Sequence, residues 1–275
     1  MNFKNIILLF IPILTILSCG GSYDIIAETC SAKVIDAIPT GTNQVLVWAD
    51  EFDFDGSPCS DNWTYDLGAG GWGNGEAQNY TNRVENVIVK GGFLKITAKK
   101  EVYQNSQYTS TRMLSMGKFD FTYGKVEVRA KLPSGKGTWP AIWMLGANFK
   151  TVGWPTCGEI DIMEHAGNRQ GTISSAMHTP SSHGNTSNVG SQTLADVSTA
   201  FHIYAVEWTS EKMTFSVDGV VHYTYNPATK NSSTWPFNDK QFLILNVAMG
   251  GSFGGVIDAA FIESSMEIDY VRVYQ

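Results

Sequence analysis

The chain has 275 residues, which by length alone is one large domain or two small ones. Its 19 Lys and Arg against 26 Asp and Glu give a net charge of −7, and charged residues make up only 16% of the chain, against an average of about 25%. A disordered chain is excluded by the aromatic content of 12%. An acidic balance without clusters of Lys and Arg argues against a nucleic-acid partner.

The first 43 residues are predicted to be an export signal followed by a tether. Lys4 precedes an apolar run of 12 residues from Ile6 to Leu17, which fits a secretory signal and is short of the about 20 residues that span a bilayer. The run ends at Ile16-Leu17-Ser18-Cys19, which resembles the lipobox of bacterial lipoproteins, where the signal is cut before an acylated Cys. An ordinary signal peptide with a chance Cys is the alternative.

We therefore predict a lipoprotein signal peptide over residues 1–18, a lipidated tether over 19–43 with Cys19 as the lipidation site, and a catalytic domain over 44–275. The protein is expected to be exported and to reside at the outer membrane, at the cell surface or in the periplasm. Its only contact with the membrane would be the lipid anchor, and the expected state is a monomer.

The four cysteines allow few covalent links. If Cys19 carries lipid, then Cys30, Cys59 and Cys157 remain, and at most one disulfide can form. Cys30 and Cys59 can pair, but the sequence does not decide it. The absence of a Cys-x-x-Cys pair and of zinc-like His spacing argues against a Cys/His metal centre.

From residue 45 onward the chain alternates short apolar-polar runs with turn signals, which is typical of strands. One run, over residues 242–247, is apolar throughout, as in a strand buried on both faces, and no long stretch has a helical period. Many strands at near-regular spacing predict an all-β sandwich of two antiparallel sheets. The predicted strands lie within residues 45–48, 86–90, 93–98, 124–130, 213–221 (with a turn at Asp218-Gly219), 242–247 and 266–274.

Three acids lie close together in Gly158-Glu159-Ile160-Asp161-Ile162-Met163-Glu164. Residues two apart in a strand share a face, so Glu159 and Asp161 point the same way. Glu164 has an odd offset from Glu159 and reaches that face only through a β-bulge near residues 162–163. The sequence therefore predicts either a bulge or an uninvolved Glu164.

Acids sharing one strand face suit glycoside hydrolysis, because one carboxylate attacks the anomeric carbon while another protonates the leaving oxygen and later activates water. The alternatives are a calcium site and a solvated edge strand. Nearby tryptophans favour a sugar site: Trp139, Trp143 and Trp154 precede the acids, and Trp72 lies in a glycine-rich loop that is expected at the surface.

In this order the residues resemble glycoside hydrolase family 16, most of all its bacterial laminarinases (endo-1,3-β-glucanases), from about Val47 to Gln275. The resemblance rests on seven motifs: Asp50-Glu51-Phe52-Asp53, Gly71-Trp72-Gly73-Asn74, Tyr123-Gly124-Lys125-Val126-Glu127-Val128-Arg129-Ala130, Trp139-Pro140-Ala141-Ile142-Trp143-Met144, the acid-bearing stretch itself, Leu245-Asn246-Val247-Ala248-Met249-Gly250-Gly251 and Asp269-Tyr270-Val271-Arg272-Val273-Tyr274.

The resemblance implies a β-jelly roll with a concave substrate cleft and a retaining mechanism without a catalytic cofactor. Glu159 would be the nucleophile, Asp161 its helper and Glu164 the acid/base. Sugar contacts are implied for Trp72, Asn74, Arg112, Trp143 and Asn246, and His178 is placed beside the catalytic strand. For Asn246 the alternative is to satisfy a buried backbone group, and for Arg112 to pair with an acid.

Relatives in this family often carry a structural calcium, which here would use Glu51, Gly92 and Asp269. Oxygen ligands of this kind suit calcium, and a structural role without metal is the alternative. Two departures from the family pattern leave the fine specificity open. They are the Cys157-Gly158 pair before Glu159 and Phe253, where laminarinases frequently carry Trp.

The function that follows is endo-hydrolysis of β-1,3-glucan. The alternatives are a mixed-linkage β-glucanase, a marine galactanase of the same family, a catalytically silent glucan-binding lectin and a surface adhesion protein. A sulfated galactan calls for a basic cleft, whereas the motif-bearing loops hold few Lys and Arg. A lectin would lack a catalytic acid, and adhesion does not explain the three acids.

Overall fold

The structure, a computed structural model, describes residues 44–275. The predicted signal peptide, the tether and the lipidation at Cys19 lie outside the described residues and stay predictions. Within residues 44–275 no helix is long and apolar enough to cross a bilayer.

The described residues are built almost entirely of strands, with two four-residue helices and one short 3-10 turn. In chain order the strands are β1 (Leu46–Asp50), β2 (Thr64–Asp66), β3 (Gln78–Tyr80), β4 (Val87–Val89), β5 (Leu94–Tyr103), β6 (Ser106–Ser110), β7 (Arg112–Leu114), β8 (Gly124–Lys131), β9 (Thr138–Gly146), β10 (Glu159–His165), β11 (Thr172–His178), β12 (Val189–Thr193), β13 (His202–Trp208), β14 (Met213–Val217), β15 (Val220–Tyr225), β16 (Gln241–Met249) and β17 (Glu263–Tyr274). The helices are α1 (Phe149–Val152) and α2 (Gly251–Gly254), and the 3-10 turn is Gly167–Arg169.

The strands form two sheets. The larger has ten strands in the order β15-β14-β13-β8-β17-β5-β6-β3, with β1 on β17 and β4 on β5. The smaller has seven, in the order β12-β11-β10-β9-β16-β7-β2. Every pairing is antiparallel except β3 with β6. The predicted sandwich of two antiparallel sheets is therefore confirmed, apart from this one parallel pair.

The main core lies between the two sheets. Val126 and Val128 of β8 and Ile160 of β10 belong to the same cluster and are fully buried. All nine residues of β16 are buried, which confirms the strand that the sequence predicted to be apolar on both faces. The burial of such alternating apolar side chains removes their surface from water and is the main term that stabilises the sandwich.

Two predicted turns have the expected geometry. Asp218 and Gly219 join β14 to β15, and both have positive φ, at 50° and 78°. That is the requirement of a type I′ hairpin turn, which matches the twist of its strands. At Gly91-Gly92, β4 pairs with β5 as predicted, with Val89 opposite Leu94.

The cysteines within the described residues differ in state. Cys59 is disulfide-bonded, and Cys157 is a free, buried thiol. Cys30, which the sequence offers as a partner for Cys59, lies outside the described residues. Burial raises the pKa of the Cys157 thiol to about 11, so the thiol stays protonated and unreactive at neutral pH.

Gly146 at the end of β9 allows the chain just before β10 to pack closely. A Cβ at this position would lie 2.2 Å from the backbone oxygen of Cys157. Because a backbone carbonyl cannot rotate away, we expect Gly146→Ala to lower the free energy of unfolding by about 3 kcal/mol or more, measured by urea denaturation.

The matched control for this prediction is Gly219→Ala, where a Cβ would meet open space and only the positive φ is strained. That variant is expected to cost about 1–2 kcal/mol. Equal losses in the two variants would contradict the packing argument.

Candidate active site

The three acids lie on β10, near the middle of the seven-stranded sheet. β10 has β9 on one side and β11 on the other, so the alternative of a solvated edge strand is wrong. Ile160 and Ile162 point into the core between the sheets, with exposed fractions of 0% and 2%. Glu159 and Asp161 therefore face away from the larger sheet, and we call this outward side of the smaller sheet the site face.

A β-bulge in β10 brings Glu164 to the site face as well. Against β9 the register shifts between Asp161 and Met163, and against β11 it shifts between Asp161 and Glu164. Ile162 and Met163 are consecutive, yet both pack into the main core. The alternation is thereby reset, and Glu164 faces outward like the other two acids. The predicted bulge is confirmed.

Two ring nitrogens surround the Glu159 carboxylate. The indole Nε1 of Trp154 donates a hydrogen bond to Glu159 Oε2 at 2.8 Å. His178 lies directly opposite Glu159 on β11, and its Nε2 is 3.7 Å from Glu159 Oε1. The predicted position of His178 beside the acid strand is therefore confirmed.

His178 also faces Asp161, and its tautomer follows from its surroundings. Its Nδ1 accepts a hydrogen bond from the backbone N–H of Gly184 at 3.1 Å, so the proton of the neutral ring is on Nε2. That Nε2 lies 3.1 Å from Asp161 Oδ2. The ring thus presents a polar N–H to both carboxylates without needing a positive charge.

Glu164 has a separate donor. The indole Nε1 of Trp139 donates to Glu164 Oε1 at 2.9 Å. Trp139 packs against Phe253, with ring centroids 5.3 Å apart, and the guanidinium of Arg169 lies 4.6 Å above the Phe253 ring. Glu159 and Glu164 therefore each accept a hydrogen bond from a different indole, Glu159 from Trp154 and Glu164 from Trp139.

Burial raises the pKa of all three acids above their ordinary values. For Glu159 burial is the largest cause, the charge of Asp161 adds to it, and His178 and the Trp154 N–H oppose it. For Asp161 the cause is burial. For Glu164 burial again comes first, Asp161 adds to it, and the Trp139 N–H opposes it. The three carboxyls cannot all be ionised together, because like charges this close disfavour each other.

The aromatic side chains near the acids form a layered group on the site face. Trp143 is directly opposite Asp161 on β9, and such pairs project to the same face. The guanidinium of Arg112 lies between two indole rings, 4.7 Å from Trp143 and 5.2 Å from Trp72. Arg112 Nε is 3.0 Å from Asp66 Oδ2, so Arg112 does pair with an acid, the alternative given for it.

The two asparagines predicted to contact sugar differ. Asn74 is exposed in the glycine-rich loop, and its Nδ2 donates to Glu76. Asn246 is only 6% exposed, and both ends of its amide are used: Oδ1 accepts from Trp143 Nε1 at 2.7 Å, and Nδ2 donates to Tyr80 Oη at 3.1 Å. Asn246 therefore acts first on protein groups, although on side chains rather than the backbone group that the alternative named.

Two groups of residues bear on cation binding. The ligand atoms of Glu159, Asp161 and His178 lie within 4.8 Å of one another, so a divalent cation there would compete with the contacts of His178 described above.

The predicted calcium residues are arranged differently. Glu51 receives two hydrogen bonds from Arg272, at 2.7 and 2.8 Å, and Asp269 pairs with Arg129 at 2.5 Å. Gly92 lies in the β4–β5 hairpin. Because both carboxylates are engaged by guanidinium groups, a calcium ion at these three residues would have to displace two arginine pairs.

Several residues of the site were not assigned a role from the sequence. In the sequence, Trp139 and Trp154 stand out only as neighbours of the acids. No motif singles out Glu76 or Tyr80, because the hydrogen bond from Asn246 to Tyr80 joins residues 166 positions apart. The one available signal was their position directly after the glycine-rich loop.

Comparison with known proteins places this geometry in a family. Residues 74–272 match the family described as glycosyl hydrolases family 16. The chain is 42% identical over 258 residues to a β-glucanase from Rhodothermus marinus, covering 90% of each chain.

Solved structures agree. The laminarinase from Flavobacterium sp. UMI-01 has 47% sequence identity and a TM-score of 0.79, over 84% of this chain and 100% of that one. A mutant of a non-specific endo-β-1,3(4)-glucanase, co-crystallised with 1,3-β-D-cellotriosyl-glucose, has 41% identity and a TM-score of 0.81, over 89% of this chain and 100% of that one. These similarities confirm the predicted fold.

Proposed function

The chain belongs to glycosyl hydrolase family 16, and from this premise we propose that it hydrolyses internal β-1,3-glucosidic bonds of laminarin-type β-glucans with retention of configuration. The observation that carries the proposal is the placement of Glu159, Asp161 and Glu164 on one face, each terminal acid with its own indole donor. A binding protein of the same fold would not need three buried, mutually repelling carboxyls.

In the first step Glu159 attacks the anomeric carbon, and Glu164 gives its proton to the leaving glycosidic oxygen. The raised pKa of Glu164, caused chiefly by burial and then by Asp161, keeps that proton available at neutral pH. The N–H of Trp154 and the facing ring of His178 favour the charged form of Glu159. These two contacts oppose the burial that raises the pKa of Glu159, and in the proposed roles the charged form of Glu159 attacks while Glu164 donates.

In the second step water replaces the sugar on Glu159, and Glu164, now a carboxylate, takes the proton of that water. The N–H of Trp139 stabilises this charged form. Asp161 lies between the two terminal acids along the strand, and its Oδ2 is 3.1 Å from the same His178 Nε2 that lies 3.7 Å from Glu159 Oε1. The proposed role of Asp161 is to position the nucleophile.

The pH profile offers a test of these roles. The ratio kcat/KM requires Glu159 charged, which sets the acidic limb, and Glu164 protonated, which sets the basic limb. Because each indole N–H lowers the pKa of its acid, removing it raises that pKa. Trp139→Phe is expected to move the basic limb to higher pH by about one unit.

The partner variant is Trp154→Phe, which is expected to move the acidic limb to higher pH. This shift is smaller because Trp154 is 47% exposed and its hydrogen bond is weakened by solvent. The pair serves as its own control, since each variant moves a different limb. Movement of the same limb by both would contradict the assignment of the two acids.

The proposed substrate follows from the aromatic surface of the site, which carries no free charge for a sulfate group to pair with. Trp143 and Trp72 present aromatic rings, and the nearby cation Arg112 is already paired with Asp66. A neutral β-glucan is therefore favoured over a sulfated galactan. A mixed-linkage β-glucan is the second candidate, since the relative solved with a bound oligosaccharide is named as non-specific for β-1,3(4) linkages.

The test is a digest of laminarin, mixed-linkage β-glucan and agarose with the purified chain, products being resolved by size. Short oligosaccharides from laminarin, strongest of the three, are expected. Preference for the mixed-linkage polymer would transfer the proposal to the second candidate. No product from any of them with a folded protein would overturn it.

Three further proposals concern the whole protein. The first is that the protein is an exported lipoprotein, anchored through Cys19 and tethered by residues 19–43 at the outer membrane, at the cell surface or in the periplasm. Its support is the lipobox-like sequence, and mass spectrometry of the membrane-extracted protein tests for the acyl group.

The second is a monomeric state, tested by light scattering. The third is a structural calcium at Glu51, Gly92 and Asp269, against which the two arginine pairs weigh; a rise in Tm with added Ca²⁺ would support it.

A further inference from the structure

The Trp143 indole is held by a chain of hydrogen bonds that begins outside the catalytic strand. Trp143 Nε1 donates to Asn246 Oδ1 at 2.7 Å, Asn246 Nδ2 donates to Tyr80 Oη at 3.1 Å, and Tyr80 Oη donates to Glu76 Oε2 at 3.2 Å. The chain crosses from β9 through β16 and β3 to the residues after the glycine-rich loop.

In this series of hydrogen bonds, the groups at the two ends decide which atom donates in each bond. An indole nitrogen can only donate, so the Asn246 atom that faces Trp143 must be its oxygen. The Asn246 amide nitrogen then donates to Tyr80, whose hydroxyl must donate onward to Glu76. A carboxylate can only accept. No group in the chain can be reversed without placing two donors against each other.

Burial makes a break in this chain costly. Tyr80 is 1% exposed and Asn246 6%, so neither finds water in place of a lost partner. Burial and the neighbouring Glu76 raise the pKa of the Tyr80 hydroxyl well above its ordinary value, which keeps the donating proton in place.

Glu76 is fixed by two more donors. Gln78 Nε2 donates to Glu76 Oε2 at 2.7 Å, and Asn74 Nδ2 donates to Glu76 Oε1 at 3.1 Å. Gln78 is itself fully buried, and its Oε1 accepts the backbone N–H of Met249 at 2.8 Å. The acceptor end of the chain is therefore anchored to the sheet.

We propose that Glu76 is a positioning residue that orients the Trp143 indole, through Tyr80 and Asn246, as a platform for a glucose ring beside the catalytic acids. Trp143 is opposite Asp161, so a tilt of this ring displaces a sugar near the reacting bond. The inference rests on the proposed function only in naming the sugar that the platform binds.

Four variants test the chain. Tyr80→Phe removes the central hydroxyl and keeps the ring. Glu76→Met removes the acceptor, so the Tyr80 hydroxyl turns to Asn246 and the amide must present its NH₂ to Trp143. Glu76→Gln keeps a carbonyl oxygen that can face Tyr80, and is the conservative variant expected to recover function. Tyr204→Phe is the control, because Tyr204 is also fully buried and its hydroxyl has no hydrogen-bond partner in the described structure.

The first readout is the Nε1–H resonance of Trp143 in a ¹H–¹⁵N spectrum, assigned by its absence from Trp143→Phe. Tyr80→Phe leaves the Asn246 amide nitrogen without its acceptor, so the amide loses the contact that fixes its orientation, and Glu76→Met turns the amide round. Both variants are expected to move the Trp143 resonance upfield because the indole hydrogen bond weakens. Glu76→Gln is expected to recover the position of the resonance, and Tyr204→Phe to leave it in place. The second readout is kinetic: kcat/KM for laminarin falls about three- to tenfold in the two disruptive variants, with part of the loss in kcat, because a displaced sugar reaches the geometry of the transition state less well.

The outcomes separate this inference from the proposed function. A Trp143 resonance that stays in place in both disruptive variants, or that moves equally in Tyr204→Phe, overturns the inference even if laminarin is hydrolysed. A resonance that moves as expected while the wild type leaves laminarin intact supports the positioning chain and removes only the proposed substrate. Two variants break the chain at different links, so misfolding of one leaves the other to decide.

Discussion

Replacing Glu159 by glutamine is expected to abolish hydrolysis of laminarin, with a loss in kcat of about 10⁴-fold or more, because the amide cannot form the glycosyl-enzyme bond. The substitution keeps the size of the side chain and its place opposite His178. The measurement is the rate of reducing-sugar release by purified protein. Glu211→Gln, at a side chain 79% exposed, is the matched control and should keep wild-type turnover.

The same substitution is expected to stabilise the protein at neutral pH. The pKa of Glu159 is raised in the fold above its ordinary value of 4.5, first by burial and then by Asp161, so its ionised form is disfavoured there relative to the unfolded chain. Stability is therefore lost as the pH rises above about 4.5. The difference in Tm between Glu159→Gln and wild type should be small at pH 4 and grow towards pH 8. Turnover near wild type would contradict the assignment of Glu159 as the nucleophile. A Tm difference that shrinks over this pH range would contradict the raised pKa of Glu159 in the fold.

Replacing Glu164 by alanine is expected to slow hydrolysis of laminarin by about 10²- to 10⁴-fold, the usual contribution of a general acid and base. An aryl glycoside with a good leaving group needs no proton donor, so its first step survives. Sodium azide should then accelerate turnover, because the small anion attacks the glycosyl-enzyme without a base. The product expected is the β-glycosyl azide, with retained configuration.

Azide rescue distinguishes the two acids. Sodium chloride at equal ionic strength is the control for salt effects, and Glu159→Gln is the control for the mechanism, since it forms no glycosyl-enzyme for azide to attack. If azide failed to accelerate Glu164→Ala with the activated substrate, Glu164 would not be the acid/base residue.

Much of the fold follows from local pattern. Residues 124–130, which alternate between apolar and polar side chains, lie in β8, and the apolar stretch at 242–247 lies in the fully buried centre of β16. The odd offset of Glu164 from Glu159 left two possibilities, a bulge near residues 162–163 or an uninvolved Glu164, and the structure has the bulge. These features are fixed by which side of a strand each residue occupies, and the sequence carries that information directly.

The contacts between distant strands could not be predicted in this way. Trp143 reaches Asn246 across 103 positions, and Asn246 reaches Tyr80 across 166. Strand order, not strand pattern, brings them together. The resemblance to a family named Asn246 as a sugar contact, but the buried hydrogen bonds of its amide depend on Tyr80, which no motif included. The calcium residues are a second case, because the arginine partners of Glu51 and Asp269 depend on the same strand order.

The bulge in β10 also makes this strand tolerant of one small genetic change. Loss of a single codon at Ile162 or Met163 would give the last acid an even offset from Glu159, so strict alternation would keep it on the site face without a bulge. The shortened strand would still present three acids, with one residue fewer between Asp161 and the last of them. A single in-frame deletion thus separates a bulged three-acid strand from a regular one.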